Sequence, residues 1–242
     1  MTAPGSELDY ELRPARGEPR GALVLLHGRG ADQYDLLPLI EGLDPGRRLV
    51  AVTPRGPLSL PTTALREAGG ARGAHWYAAA GIPTPDPETF RATFATLAAW
   101  LDRLPQRTGV SWERTVLGGF SQGAVMSYAL GLGAGRPSPA GILALSGFIP
   151  SVPGFELALE DRPHLPVAIG HGSLDPVIPV QFGQQAMRLL DGAGLGVTYR
   201  ESPIAHGIDP RYIAELHPWL AAATDPAAAA PRPSRPLADL SP

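Results

Sequence analysis

The sequence contains no cysteine. That excludes disulfide scaffolds, thiolate metal sites and cysteine nucleophiles together, and leaves the redox compartment open. Lysine and asparagine are absent too, so every basic residue is an arginine. A Walker-type phosphate loop, which needs Gly-Lys-Ser/Thr, is therefore excluded. Nowhere does an apolar run approach the ~20 residues that span a bilayer, so no membrane span is expected. The first twenty residues lack the apolar centre of a signal peptide, and the expected location is cytoplasmic. Basic charge is not in excess: Lys+Arg 20 stand against Asp+Glu 23, a net charge of −3. Such a chain has little to offer a phosphate backbone, so no nucleic-acid partner is expected. The six histidines are scattered without a metal-ligand spacing, and no metal is expected. Gly28 and Gly30 follow the first apolar run, but Gln33 stands where a dinucleotide fingerprint needs its third glycine. No cofactor is expected either.

What remains is a chain of 242 residues, 44% of them hydrophobic, enough for one domain with a sizeable core. The 29 Gly and 28 Pro, with the missing Lys and Asn, read as the codon usage of a GC-rich genome and carry no functional weight. Residues 1–19 are expected to form an N-terminal arm, with room for an edge strand. Residues 20–223 form the domain. Residues 224–242 are Ala/Pro-rich, a composition that cannot build a packed element, and are expected to be a disordered tail.

Within the domain, apolar strand patterns alternate with helical ones. Continuous runs at Gly21–Leu26, Leu49–Thr53, Thr115–Leu117, Ile142–Leu145 and Val167–Ile169 predict strands buried on both faces. A further strand is predicted at Val197–Arg200. Phe90, Phe94, Leu97, Leu101 and Leu104 recur at three and four residues, predicting a helix over Glu88–Leu104. Helices are also predicted over Gln122–Leu132, near Val180–Leu190 and near Pro210–Leu220. This alternation implies an α/β fold, a mostly parallel central sheet with helices on both faces. Residues 55–87 read as one long loop over the active site, since loops of that length are usually functional. In such sheets ligands bind beyond the carboxyl ends of the strands, where the chemically interesting residues of this chain fall.

Gly119-Phe120-Ser121-Gln122-Gly123 fits the pattern G-x-S-x-G, between a strand and a helix. A serine on so sharp a turn leaves no space for side chains two positions away, which accounts for both glycines. Its hydroxyl needs a base, and the base an orienting acid. In α/β-hydrolases, which mount the serine on such a turn, the chain order is Ser, acid, His, so both partners are sought downstream. His206 sits in a loop between the last strand and the last helix, where that base belongs. His217 falls within the final helix pattern, His164 in a loop, and His171 at a strand end. Asp175 follows the strand at Val167–Ile169, stiffened by Pro176, and is the favoured acid. Asp161 precedes that strand, Asp191 lies near a helix end, and Asp209 reads as the cap of the final helix. Backbone N–H groups of Gln122, just after the serine, and of Arg29, in the loop after the first strand, are the candidate oxyanion donors.

Taken together, Leu26-His-Gly-Arg-Gly30, Gly119-Phe-Ser-Gln-Gly123, Leu145-Ser-Gly-Phe-Ile-Pro150, His171-Gly-Ser-Leu-Asp-Pro176 and Ala205-His-Gly207 resemble the phospholipase/carboxylesterase family of α/β-hydrolases. This family includes small bacterial carboxylesterases and the acyl-protein thioesterases. The resemblance covers about residues 20 to 222. It implies Ser121, Asp175 and His206 as a catalytic triad, Arg29 and Gln122 as oxyanion donors, and cofactor-free hydrolysis of carboxylic esters or thioesters. Many relatives follow an aromatic pair in the long loop with Asp, whereas here Trp76-Tyr77 precedes three alanines. Arg29 stands where the thioesterase branch often has an apolar residue. Both departures favour a bacterial carboxylesterase over a protein depalmitoylase. Trp76, Tyr77 and Phe148 are candidate acyl contacts, an aromatic wall that suits a short to medium acyl chain, although the same residues read equally well as core. A lysophospholipase or acyl-thioesterase would use the same triad, and a non-catalytic binding protein could keep the fold. The expected partner is a small ester or thioester; monomer and homodimer both remain open.

Overall fold

Five of the continuous apolar runs become the interior of one sheet. They are β2 (Gly21–Leu26), β3 (Leu49–Pro54), β6 (Thr115–Phe120), β7 (Gly141–Leu145) and β8 (Pro166–Gly172), almost every residue of which is buried. The computed structural model describes residues 7–59, 73–79 and 81–225; most of the Ala/Pro-rich tail and the middle of the long connection lie outside these. The edges are β1 (Tyr10–Arg13), within the N-terminal arm, and β9 (Gly196–Ser202), and the order is β1-β3-β2-β6-β7-β8-β9. All neighbours pair in parallel except β1, which runs antiparallel to β3. Strand runs covered on both faces leave no room for alternating polar residues, which is why these segments read as unbroken apolar stretches.

Alternation of side chains across the sheet separates two cores. Val24, Leu26, Val50 and Val52 point to one face. There they meet α2 (Pro87–Asp102) through Phe90, Leu97, Trp100 and Leu101, and α4 (Gln122–Leu132) through Val125 and Met126. On the same side, α4 and α5 (Gln181–Gly192) pack over β7 and β8 through Tyr128, Leu132, Ala186 and Leu190. Leu23, Leu25 and Ala51 point the other way, to α1 (Leu37–Leu43), α6 (Pro210–Glu215) and α7 (His217–Ala223). All eleven residues of α4 are buried, as expected for a helix apolar on every side.

Two predicted helices differ from the observed ones at a proline. The periodicity of residues 88–104 continues through Leu104, but α2 stops at Asp102 and Leu104 opens a separate short helix, α3 (Leu104–Thr108). Pro105 cannot donate to the carbonyl four residues back, so the chain restarts there. Pro218 divides the final helix into α6 and α7 in the same way. At the start of α2, Asp86 accepts the Thr89 N–H at 2.9 Å, and Pro87 occupies the first turn. Residues 55–87 are not wholly irregular. Within them β4 (Leu58–Ser59) pairs antiparallel with β5 (Ala74–His75), a small second sheet.

The chain lays down β2 and β3 on one side, then adds β6 to β9 on the other. Between β2 and β6 the direction of winding reverses, and such a reversal opens a crevice at the carboxyl ends of the two strands. Ser121 follows β6 at that point, and the loop carrying Arg29 follows β2.

Candidate active site

Ser121 adopts φ 55° and ψ −119°, a region that L-residues rarely occupy. The strain is held by the surroundings: its N–H donates to Leu145 O at 2.9 Å, and α4 begins at the next residue. The flanking glycines are obligatory. A Cβ on Gly123 would lie 1.9 Å from Leu26 O, and one on Gly119 would lie 2.5 Å from the same oxygen. Both contacts are with backbone at the end of β2, so α4 crosses that strand at a distance only glycine allows.

His206 lies in the loop after β9 and bridges the serine to Asp175. Its Nε2 is 3.0 Å from Ser121 Oγ, and its Nδ1 is 2.7 Å from Asp175 Oδ2. A carboxylate can only accept, so Nδ1 carries the proton and Nε2 is left free to accept from the serine hydroxyl. Asp175 is itself fixed: Oδ1 accepts the N–H of Val177 at 2.8 Å and of Ile178 at 2.9 Å. Pro176 has no N–H, so these are the first two donors the chain can supply after the aspartate.

Around this line stand supporting residues, of which the sequence singles out only His171, as a residue shaping the loop that holds Asp175. His171 is buried beside Asp175, 3.6 Å from Oδ2, and its Nε2 donates to Ile178 O at 2.8 Å. It braces the turn that carries the acid. The His206 loop rests on Gly172, where a Cβ would come 2.3 Å from Ala205 O, and Ser146 Oγ donates to Gly207 O at 3.2 Å. The Phe120 ring lies against His206, with centroids 4.8 Å apart. The other downstream candidates stand elsewhere. Asp209 caps α6 by accepting the Arg211 N–H, His217 meets Gly42 O, and Asp161, Asp191 and His164 are exposed.

Gln122 opens α4, so its backbone N–H belongs to the first turn, which has no intrahelical acceptor. Its side chain works in the opposite direction: Oε1 accepts the Trp76 N–H at 3.2 Å, and Nε2 donates to Tyr77 O at 2.9 Å. The Arg29 loop is latched to the same segment. Gly30 N–H donates to Ala74 O at 2.8 Å, and Ala74 N–H donates to Ala31 O at 2.9 Å. Behind it, the indole N–H of Trp76 donates to His27 O at 2.7 Å, and the two rings lie tilted against each other with centroids 4.8 Å apart. Trp76 was expected at the acyl contact, but it is fully buried and acts as a strut behind the site. A buried indole needs an acceptor for its N–H, and His27 O supplies it.

His27 accepts the Gly56 N–H at Nε2, at 2.9 Å, and donates from Nδ1 to Gly28 O at 2.7 Å. Burial disfavours the imidazolium and draws the pKa from 6.5 down to about 4. In the unfolded chain the ring takes its proton near the ordinary value, whereas the folded protein resists until about 4. Stability should therefore be independent of this group at higher pH and fall as pH drops from 6.5 towards 4, by about 3 kcal/mol in all. Urea unfolding of the wild type and His27→Gln across that interval checks it. The variant, although less stable at neutral pH, should lose less on acidification; equal slopes would remove His27 from the account.

In front of Ser121 opens a cavity of about 290 Å³. Arg29, Tyr77, Ile82, Phe148, Val177 and Ile178 line it beside Ser121, Gln122 and His206. Tyr77 and Phe148 line this cavity, and Trp76 does not. The Arg29 side chain is exposed at the rim. A larger cavity of about 720 Å³ lies at the opposite, amino-terminal end of the strands, among Arg20, Arg48, Arg114 and His217, remote from this chemistry. Among the described residues no group of His, Asp and Glu is arranged to hold a metal ion, and no helix is long and apolar enough to cross a membrane.

Comparison with known proteins agrees with this architecture. Acyl-protein thioesterase 1 of Neurospora crassa is 30% identical over 205 residues, covering 79% of this chain and 82% of that protein. The counterpart from Gibberella zeae is 33% identical over 117 residues, which cover 47% of this chain, so the match spans about half (49%) of that relative's length. Among solved structures, esterase PE8 superposes with a TM-score of 0.72 at 28% identity, covering 89% of this chain and 98% of that one. A carboxylesterase from Mesorhizobium loti superposes with a TM-score of 0.73 at 24% identity, covering 88% and 93%. The sheet and its helices are those of an α/β-hydrolase. The sequence profile of the phospholipase/carboxylesterase family matches residues 10–223, and the chain belongs to that family.

Proposed function

We propose that the protein is a serine esterase acting on carboxylic esters of short to medium acyl chains. The observation that carries this reading is the hydrogen-bonded line from Ser121 through His206 to Asp175, mounted on a strained strand-to-helix turn. His206 Nε2 takes the hydroxyl proton as Ser121 Oγ attacks the ester carbonyl, while Asp175 stabilises the imidazolium that forms. The carbonyl oxygen becomes an oxyanion facing the N–H groups of Arg29 and Gln122, each worth roughly 2.7–4 kcal/mol of barrier. The C–O bond to the alcohol then breaks, and His206 returns its proton to the departing oxygen. A water molecule, deprotonated by His206, attacks the acyl-enzyme, and the acid is released with Ser121 restored.

The acyl group has its place in the cavity lined by Tyr77, Ile82, Phe148 and Val177. Its volume of about 290 Å³ is at the lower end of ligand sites, which suits a short or medium chain. The names of the fungal relatives favour a second reading, thioester hydrolysis by the same three residues. Only the leaving atom changes.

Hydrolysis of p-nitrophenyl esters from two to sixteen carbons, followed by labelling with a fluorophosphonate and peptide mapping, tests the proposal. Turnover that peaks at a short or medium chain, with the label on Ser121, is the expected result. Silence across esters and acyl-thioesters together, with Ser121 unlabelled, would leave a binding protein on a hydrolase fold.

A further inference from the structure

A second cavity adjoins the site at His206. Its volume is about 580 Å³, twice that of the space in front of Ser121, and the two share His206 and Phe120. Leu36, Leu39, Ile208, Pro210 and Ile213 make its lining apolar, and Asp35 is the acidic residue at its edge. These residues come from α1 and the loop before it, and from the His206 loop and α6, elements that pack together at the carboxyl ends of the strands. The reaction cycle derived above uses only the first cavity.

The chemistry divides a substrate between the two. The acyl carbonyl must sit between Ser121 Oγ and the N–H groups of Arg29 and Gln122, which places the acyl chain in the first cavity. The departing oxygen must lie within reach of His206 Nε2, because that atom returns the proton. The alcohol portion therefore leaves along the ring pair His206–Phe120, whose centroids are 4.8 Å apart, and that pair also lines the second cavity. Resting on the esterase reading, we infer that this cavity is the leaving-group subsite and takes a bulky, uncharged, apolar alcohol of aromatic or medium-chain alkyl type. Apolar walls give such a group a favourable transfer from water. Asp35 disfavours an anionic alcohol at the same place.

The test holds the acid constant and varies the alcohol. Methyl, benzyl and naphthylmethyl butanoates are compared as a ratio of kcat/KM, bulky over methyl, in the wild type, Leu39→Trp and Ala214→Trp. Ala214 is exposed on α6 at the cavity wall, so that variant fills the space without entering the core. The wild type should prefer the bulky alcohols, and each tryptophan should lower the ratio about tenfold. An unchanged ratio in both folded variants, or a wild type indifferent to the alcohol, overturns the inference while leaving the esterase standing. Absence of Ser121-dependent turnover on every ester overturns the esterase reading, and the subsite with it.

Discussion

Replacing Ser121 by alanine should lower kcat for p-nitrophenyl butanoate by about 10⁵–10⁶ and leave the unfolding midpoint nearly unchanged. Ser121 Oγ has one partner among the described residues, His206 Nε2 at 3.0 Å, and losing that bond leaves a ring that water can still reach. Alanine at φ 55° keeps the strain, because the strain arises from Cβ against the backbone and not from the hydroxyl. Glycine would relieve it. Ser121→Gly should therefore be as inactive as the alanine variant, yet more stable than the wild type by about 1 kcal/mol. Strain of 1–3 kcal/mol is removed, while the added freedom of the unfolded chain costs about 0.5–1 kcal/mol. Thermal unfolding of the three proteins, run beside the kinetics, separates the two contributions. If the alanine variant retained a few per cent of activity, the nucleophile assignment would fail. If the glycine variant melted below the wild type, the strain argument would.

Much of this site is legible in the sequence because its parts are punctuated by backbone rules. Gly119 and Gly123 bracket a serine for a steric reason that the structure expresses as contacts of 2.5 and 1.9 Å. Asp175 and His206 follow from chain order and strand ends, and the interior strands from unbroken apolar runs. What could not be read depends on which distant segments meet. Trp76 reads equally well as a pocket wall or a strut, and the choice rests on the carbonyl of His27, far away in sequence. The Gln122 side chain looks free until residues 73–79 fold across it. The second cavity is invisible for the same reason, since residues 35–42 and 208–214 line it from opposite ends of the domain. Pro105 and Pro218 are different: the signal for a break was present, but apolar periodicity runs straight through it.

Among the described glycines, Gly123→Ala should be the most damaging addition of a methyl for both fold and catalysis. The new Cβ would meet Leu26 O at 1.9 Å, Leu26 C at 2.4 Å and His27 O at 2.7 Å, all backbone atoms at the end of an interior strand. A clash with a flexible side chain is relieved by a new rotamer. Here α4 must instead lift from β2, and every residue of that helix is buried. Overpacking commonly costs 1–3 kcal/mol, and a contact this close should cost about 3 kcal/mol or more. Gly192→Ala, near the end of α5 with nothing within 4 Å of the added Cβ, should change stability by less than about 1 kcal/mol, towards stabilisation. Urea unfolding of the two variants measures the contrast. The catalytic consequence follows from the same displacement. Gln122 N–H rides on α4, and the Arg29 loop begins where β2 ends, so lifting the helix separates the two proposed oxyanion donors. Any Gly123→Ala protein that folds at low temperature should thus lose a further 10²–10³ in kcat, roughly one donor's worth. Its KM for short esters should move far less. A folded variant with wild-type kcat would show that this crossing of helix and strand does not set the distance between the donors.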